Sequence, residues 1–100
     1  MAAITLAELS VGVELSKGKT KVSRQGLVDE IVASIPIVDY DFSVARAHSQ
    51  LLVAVRRQGR PRGAHDLIIA ATALSSNRVV VTADQTAFVN LPGVATVFHR

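Results

Sequence analysis

Apolar residues recur at helical intervals through the first part of the chain and gather into short β-branched runs toward its end. Leu6, Leu9 and Val13 accompany Thr5-Leu6-Ala7-Glu8, which has the form of a capping box. This predicts a helix from about Thr5 to Lys17, ended by Gly18. Val28, Ile31, Val32 and Ile35 stand at i, i+3, i+4 and i+7 on a second helix. It is expected to start near Thr20 and stop before Pro36, because a proline disfavours helical geometry in the residue ahead of it. Ile37-Val38-Asp39-Tyr40 then reads as a short strand.

Ser43 is placed to cap a third helix whose apolar stripe is Val44, Leu51, Leu52 and Val55, with His48 in the same row and Arg46, Gln50, Arg56 and Arg57 off it. Gln58-Gly59-Arg60-Pro61-Arg62-Gly63 breaks the period as a loop. Asp66 to Ser76 resumes it as a helix apolar on nearly every side, which predicts a buried helix. Val79-Val80-Val81 has the form of a parallel strand covered on both faces. A short helical turn is expected at about Gln85 to Val89, a turn at Pro92-Gly93, and a last strand at Ala95 to Phe98. Helices alternating with short strands make the class α/β, a small parallel sheet with flanking helices and right-handed crossovers.

At 100 residues, with 49% apolar and 19% charged residues, the chain is expected to fold as one small domain. It contains no Cys, which removes disulfides, thiolate metal sites and a cysteine nucleophile together. The run from Leu67 to Leu74 is far shorter than the roughly 20 residues that cross a bilayer. The N-terminus meets Glu8 before any leader-like apolar stretch develops. Neither a membrane nor secretion is expected, which leaves the cytoplasm. A net charge of +3 favours a polyanionic partner only weakly.

Three carboxylates stand at element boundaries: Glu8 in a first helical turn, Asp66 opening the apolar helix, and Asp84 just beyond the valine strand. Each has an ordinary explanation. Glu8 can close a capping box, Asp66 can complement a helix dipole for roughly 0.3–1 kcal/mol, and Asp84 can cap a turn. Taken together they suggest more, because ligands of open α/β sheets bind beyond the carboxyl ends of the strands. Asp66 reaches that rim only if the loop from Gln58 to His65 lies there. Two carboxylates about 4 Å apart repel by roughly 4 kcal/mol at an effective dielectric of about 20, so such a cluster needs a cation. An oxygen-only set suits Mg²⁺ or Mn²⁺, and with them phosphodiester chemistry.

Arg56, Arg57, Arg60 and Arg62 crowd the stretch just before Asp66. They read equally as a phosphate-contacting loop or as a helix C-terminus followed by solvated loop. His65 reads as a capping or exposed residue, His48 as packed, and His99 lies near the end; no pair has zinc spacing. Glu14, Asp29, Glu30, Asp39 and Asp41 read as surface or strand-end charges. Phe42, Phe88 and Phe98 are expected in the core, since aromatic residues make up only 4% of the chain.

Ile4-Thr5-Leu6-Ala7-Glu8-Leu9-Ser10-Val11-Gly12-Val13, then Asp66-Leu67-Ile68-Ile69-Ala70-Ala71-Thr72-Ala73-Leu74, then Val81-Thr82-Ala83-Asp84 with Phe88 and Leu91-Pro92-Gly93-Val94, resemble the PIN-domain ribonuclease toxins of VapBC toxin–antitoxin pairs. The resemblance runs from Ile4 to about Phe98. It implies a PIN-like fold and a Mg²⁺- or Mn²⁺-dependent endoribonuclease that cuts tRNA or other structured RNA, forms a homodimer and is silenced by a cognate antitoxin. Glu8, Asp66 and Asp84 match the second, third and fourth acids of the family's cluster, as metal ligands or as groups that orient the attacking water. Thr82 matches a polar residue beside the fourth acid and joins Arg57, Arg60 and Arg62 as a candidate RNA contact.

The chain departs from the family at its front. PIN domains open with a strand ending in the cluster's first Asp, and residues 1–7 contain no acid. The expectation is one PIN-like domain over residues 1–100, incomplete at its N-terminus, with strand edges and part of the Leu67 helix left uncovered. A longer natural protein, or a fragment, is the favoured account over a second chain supplying the edge. The alternative to an active nuclease is a catalytically impaired remnant that only binds antitoxin or associates with itself.

Overall fold

The computed structural model describes residues 1–60, 62–82, 84 and 86–98. The expectations attached to Pro61, Ala83, Gln85 and His99 lie outside the described residues. The chain divides into two compact units, Met1–Asp39 and Tyr40–Arg100.

In the first unit, α1 (Ala3–Leu15) packs on α2 (Gly18–Ser34), with Ala2, Val13 and Val28 buried. The expected capping box is not formed. The helix starts earlier, at an Ala2 N-cap with no side-chain bond, so Thr5 and Glu8 lie inside it. Nor does Gly18 end α1; it opens α2 at φ 60°. The stop comes two residues earlier, where the amide and the hydroxyl of Ser16 both donate to Val13 O, at 3.0 and 2.7 Å. Of the α2 stripe only Val28 is buried, while Val32 and Ile35 are exposed. Ile35 is extended (φ −120°, ψ 126°), as the residue before Pro36 must be.

The strand expected at Ile37 to Tyr40 is reduced to one parallel bridge, Ala2 to Val38. Val38 N donates to Met1 O (2.8 Å) and Val38 O accepts from Ala3 N (3.0 Å). Ala3 is already helical, so the ladder cannot extend past that pair.

In the second unit, α3 (Phe42–Gln58) is capped by Asp41, not Ser43: the Asp41 carboxylate accepts from Val44 N at 3.0 Å. Asp41 has the extended backbone an N-cap requires, and Ser43 falls within the first turn. Arg56 and Arg57 occupy the last turn, and Gly59 closes the helix at φ 66°, a left-handed conformation that costs glycine little. After α4 (Ala64–Ser75) come β1 (Val79–Thr82) and β2 (Ala95–Phe98), which pair in parallel with Val79 opposite Ala95 and Thr82 opposite Phe98.

The core of this unit joins Val44, Ala47, Leu51 and Val55 of α3 to Leu67, Ala70 and Ala71 of α4, with Val80, Phe88 and Leu91 beside them. Ala70 and Ala71 are small enough for the two helices to approach closely. Thr72, the one buried polar residue among the described residues, bonds its hydroxyl to Ile68 O at 2.7 Å.

Burial along β1 alternates. Val80 is buried, whereas Val79 and Val81 are 51% and 65% exposed, so the valine run is covered on one face and not on both. Among the described residues of this unit, α4 is the helix packed against β1, and one helix covers one face. Phe88 is buried as expected, but Phe42 and Phe98 are not core residues: they are 75% and 43% exposed. The Phe42 ring instead faces the Arg46 guanidinium at 5.8 Å. The segment 86–90 forms turns where a helical turn was expected. Among the described residues, no helix is long and apolar enough to cross a membrane.

Candidate functional site

Asp66 is the third residue of α4 and lies in its first turn, where its charge complements the helix N-terminus. The carboxylate folds back over the N-cap: a Cβ on Gly63 would stand 3.2 Å from Asp66 Oδ2 and 3.7 Å from its Cγ. Position 63 therefore has little room for any side chain while Asp66 keeps this pose.

Asp84 follows β1 by two residues and is exposed. Its backbone is held from behind, where Asp84 N donates to Thr82 Oγ1 at 3.0 Å. Its Oδ1 accepts from Thr86 N (2.8 Å), Thr86 Oγ1 (2.9 Å) and Ala87 N (3.2 Å). All three bonds fall on one oxygen. These donors, the Thr86 amide first, then its hydroxyl and then the Ala87 amide, hold the Asp84 carboxyl below its usual range.

The sign of the resulting pH dependence follows from linkage. A carboxyl with a lower pKa in the folded state contributes stability above its unfolded value of about 3.9 and loses it as pH falls through the folded value. In melting curves recorded from about pH 5 downward, Asp84→Asn is expected to flatten the acid-side fall in stability. Curves for the two proteins that stay parallel would show that Asp84 is not a source of that fall.

The turn at 76–78 sends the chain straight from α4 back along β1, and the two elements pack together, so α4 begins where β1 ends. One side chain from the end of α3 and one from the loop ahead of α4 bond the segment after β1. Gln58 Nε2 donates to Asn90 O at 2.7 Å, and Arg62 Nη2 donates to Val89 O at 2.7 Å. The Arg62 bond ties the loop that leads into Asp66 to the turn that follows Asp84. A hollow of ≈ 50 Å³ lined by Thr82, Asp84, Phe88, Val89, Thr96 and Phe98 borders the second acid. That is room for roughly one or two waters.

Glu8 belongs to the first unit, exposed on α1. Among the described residues, no three His, Cys, Asp or Glu side chains gather closely enough to hold a metal ion. Of the basic residues, Arg57 and Arg60 are exposed. Arg62 directs Nη1 to Arg60 O (3.2 Å) as well as Nη2 to Val89 O. Thr82 spends its hydroxyl on the Asp84 backbone. His65 is exposed in the first turn of α4, and His48 Nδ1 pairs with the Tyr40 hydroxyl at 2.8 Å.

Sequence reasoning passed over Thr86, Gly63 and Gln58, which hold the acids or their loops. Thr86 was open to recognition: an Asp followed two residues later by Thr is the spacing of a side chain that caps its own turn. Gly63 and Gln58 gave no such signal, because their roles depend on contacts made only in the fold.

Residues 1–93 match the PIN domain family. The chain is 31% identical over 96 residues to the tRNA(fMet)-specific endonuclease VapC of Shigella flexneri, a match covering 96% of this chain and 71% of that protein. Among solved structures, DNA-bound VapBC from Salmonella typhimurium superposes with a TM-score of 0.87 at 31% identity, covering 97% of this chain and 72% of the other. VapBC2 from Rickettsia felis, bound to a promoter DNA fragment, gives 0.88 at 27% identity, covering 99% and 73%. With the acid boxes in order and the α/β core shared, the chain belongs to the PIN-domain family and groups there with the VapC proteins.

Proposed function

We propose that this chain is the toxin of a toxin–antitoxin pair, an endoribonuclease that hydrolyses RNA phosphodiester bonds with Mg²⁺ or Mn²⁺ held by Asp66 and Asp84. One observation supports the reading: Arg62, in the loop ahead of α4, is hydrogen-bonded to the turn after β1, as a site shared by Asp66 and Asp84 at one end of the second unit requires. Glu8, in the first unit, matches the family's second acid in sequence. The donor set, carboxylate oxygen throughout, fits a hard divalent cation. Such a cation supplies charge neutralisation at the phosphate and a coordinated water of lowered pKa.

This chain's own residues do the rest. Thr82 holds the Asp84 backbone in place, and Thr86 and Ala87 favour its ionised carboxylate. Arg57 and Arg60, both exposed, bind RNA phosphates in a salt-dependent way. The substrate class we assign is tRNA, the substrate named for the Shigella flexneri relative. The partners are a cognate antitoxin and a second copy of the chain, in the cytoplasm; solved neighbours include VapBC complexes.

The test is incubation of the purified protein with tRNA and millimolar Mg²⁺ or Mn²⁺. Cleavage that EDTA stops is the expected result. A second reading, a chain that binds antitoxin without cutting, is favoured by the absence of a three-acid cluster among the described residues. RNA left intact under both metals would establish that reading over the nuclease.

A further inference from the structure

Arg62 sits between the two segments that carry Asp66 and Asp84 and is bonded to the protein's own backbone on both sides. Its Nη2 donates to Val89 O at 2.7 Å and its Nη1 to Arg60 O at 3.2 Å. Its Nε is buried and has no hydrogen-bond partner. Desolvating a donor without satisfying it works against stability, so a residue selected only to hold the fold would not need this arrangement. A guanidinium gives what a lysine cannot, two donors in a rigid fork that spans two carbonyls at once.

The geometry points to Arg62 as a positioning residue for the acidic site: it clamps the loop ahead of α4 to the turn after β1 and so sets the separation of Asp66 and Asp84. On one side the chain is short and crowded, since Gly63 follows Arg62 directly and its Cα lies under the Asp66 carboxylate. On the other side Val89 continues the turn in which Thr86 and Ala87 bind Asp84 Oδ1, and Ala87 and Phe88 are anchored in the core. Gln58 makes a parallel tie one residue further on, at Asn90 O. This inference rests on the assignment of Asp66 and Asp84 as metal ligands, and it gives Arg62 a task other than RNA contact.

The test begins on metal-free protein. Amide hydrogen exchange at Thr86 and Ala87 is expected to quicken about tenfold in Arg62→Ala, with amides of the α3 core such as Leu51 and Val55 unchanged. Arg62→Lys, which can keep the Val89 bond alone, is expected to fall between the two and serves if the alanine variant folds poorly. Mn²⁺ binding, followed by electron paramagnetic resonance, is expected to weaken by about 10-fold in Arg62→Ala, within the 10–100-fold range for outer-shell partners. Arg46→Ala, which removes the same charge at a site on α3, is expected to leave it unchanged.

Unaltered exchange at Thr86 and Ala87 in both variants would overturn the inference, as would RNA affinity that falls while exchange and Mn²⁺ binding stay constant. Failure of the unmodified protein to bind Mn²⁺ would instead strike at the functional reading.

Discussion

Asparagine at position 84 is expected to reduce RNA cleavage by about 10²- to 10⁴-fold, the range associated with losing a group that acts directly in the chemistry, while the fold survives. The survival follows from where the hydrogen bonds fall. Thr86 N, Thr86 Oγ1 and Ala87 N all donate to Oδ1. An asparagine carbonyl can accept those same bonds, so the turn after β1 keeps its shape. What is lost is the negative charge, and with it the attraction for a divalent cation. Comparing initial cleavage rates with melting midpoints at neutral pH separates the two effects: the rate should collapse and the midpoint should move little. Asp66→Asn is expected to behave the same way, its amide still facing the open N-terminus of α4. Either variant retaining more than half the activity would remove that acid from the site. Because the defect is in cation binding, raising the Mn²⁺ concentration should restore part of the lost rate, which it would not do for a variant damaged in folding.

The helices were legible because their causes are local. Pro36 stops α2, Gly59 closes α3, and the apolar row Val44, Leu51 and Val55 is buried as its spacing predicts. The errors fall where two local solutions compete. Asp41 and Ser43 can both cap α3, and the outcome depends on where Tyr40 and Asp41 enter the helix, which periodicity does not show. Val79 to Val81 could equally be covered on one face or two; the answer lies in how many elements pack on β1. Phe42 looks like core by composition, yet it is the first residue of α3 and projects beside Arg46.

The site divides along the same line. Asp66 and Asp84 stand out as candidates from their positions at element boundaries, since the chemistry of an α/β rim is tied to strand ends. The ties that support a shared end, Gln58 to Asn90 and Arg62 to Val89, span 32 and 27 residues. No pattern in the sequence forces those pairings. Asp84 shows the two readings coexisting: it is a turn cap, as the ordinary explanation had it, and the cap is what leaves an ionised carboxylate fixed at the rim.

Leu51→Ala is expected to cost about 2–5 kcal/mol, the range for deleting a buried leucine side chain, and it is the substitution with the largest expected effect on stability. Leu51 is 1% exposed and stands mid-way along α3, in the row that packs on Ala70 and Ala71 of α4. Two of the α4 residues in that cluster are alanines, whose side chains cannot swing in to fill the space, which leaves Leu67 as the larger neighbour on the facing helix. Closing the gap would require α3 and α4 to shift together, and both are anchored, α3 by the Asp41 cap and α4 through its packing on β1. The cost should therefore lie in the upper half of the range. Small domains have only about 5–15 kcal/mol of stability in total, so the variant should unfold at a much lower urea midpoint with an unchanged slope. Phe42→Ala removes a larger side chain that is 75% exposed, and it should shift the midpoint by no more than a surface substitution does. If the two variants unfold alike, the α3–α4 contact is not the centre of the second unit's core.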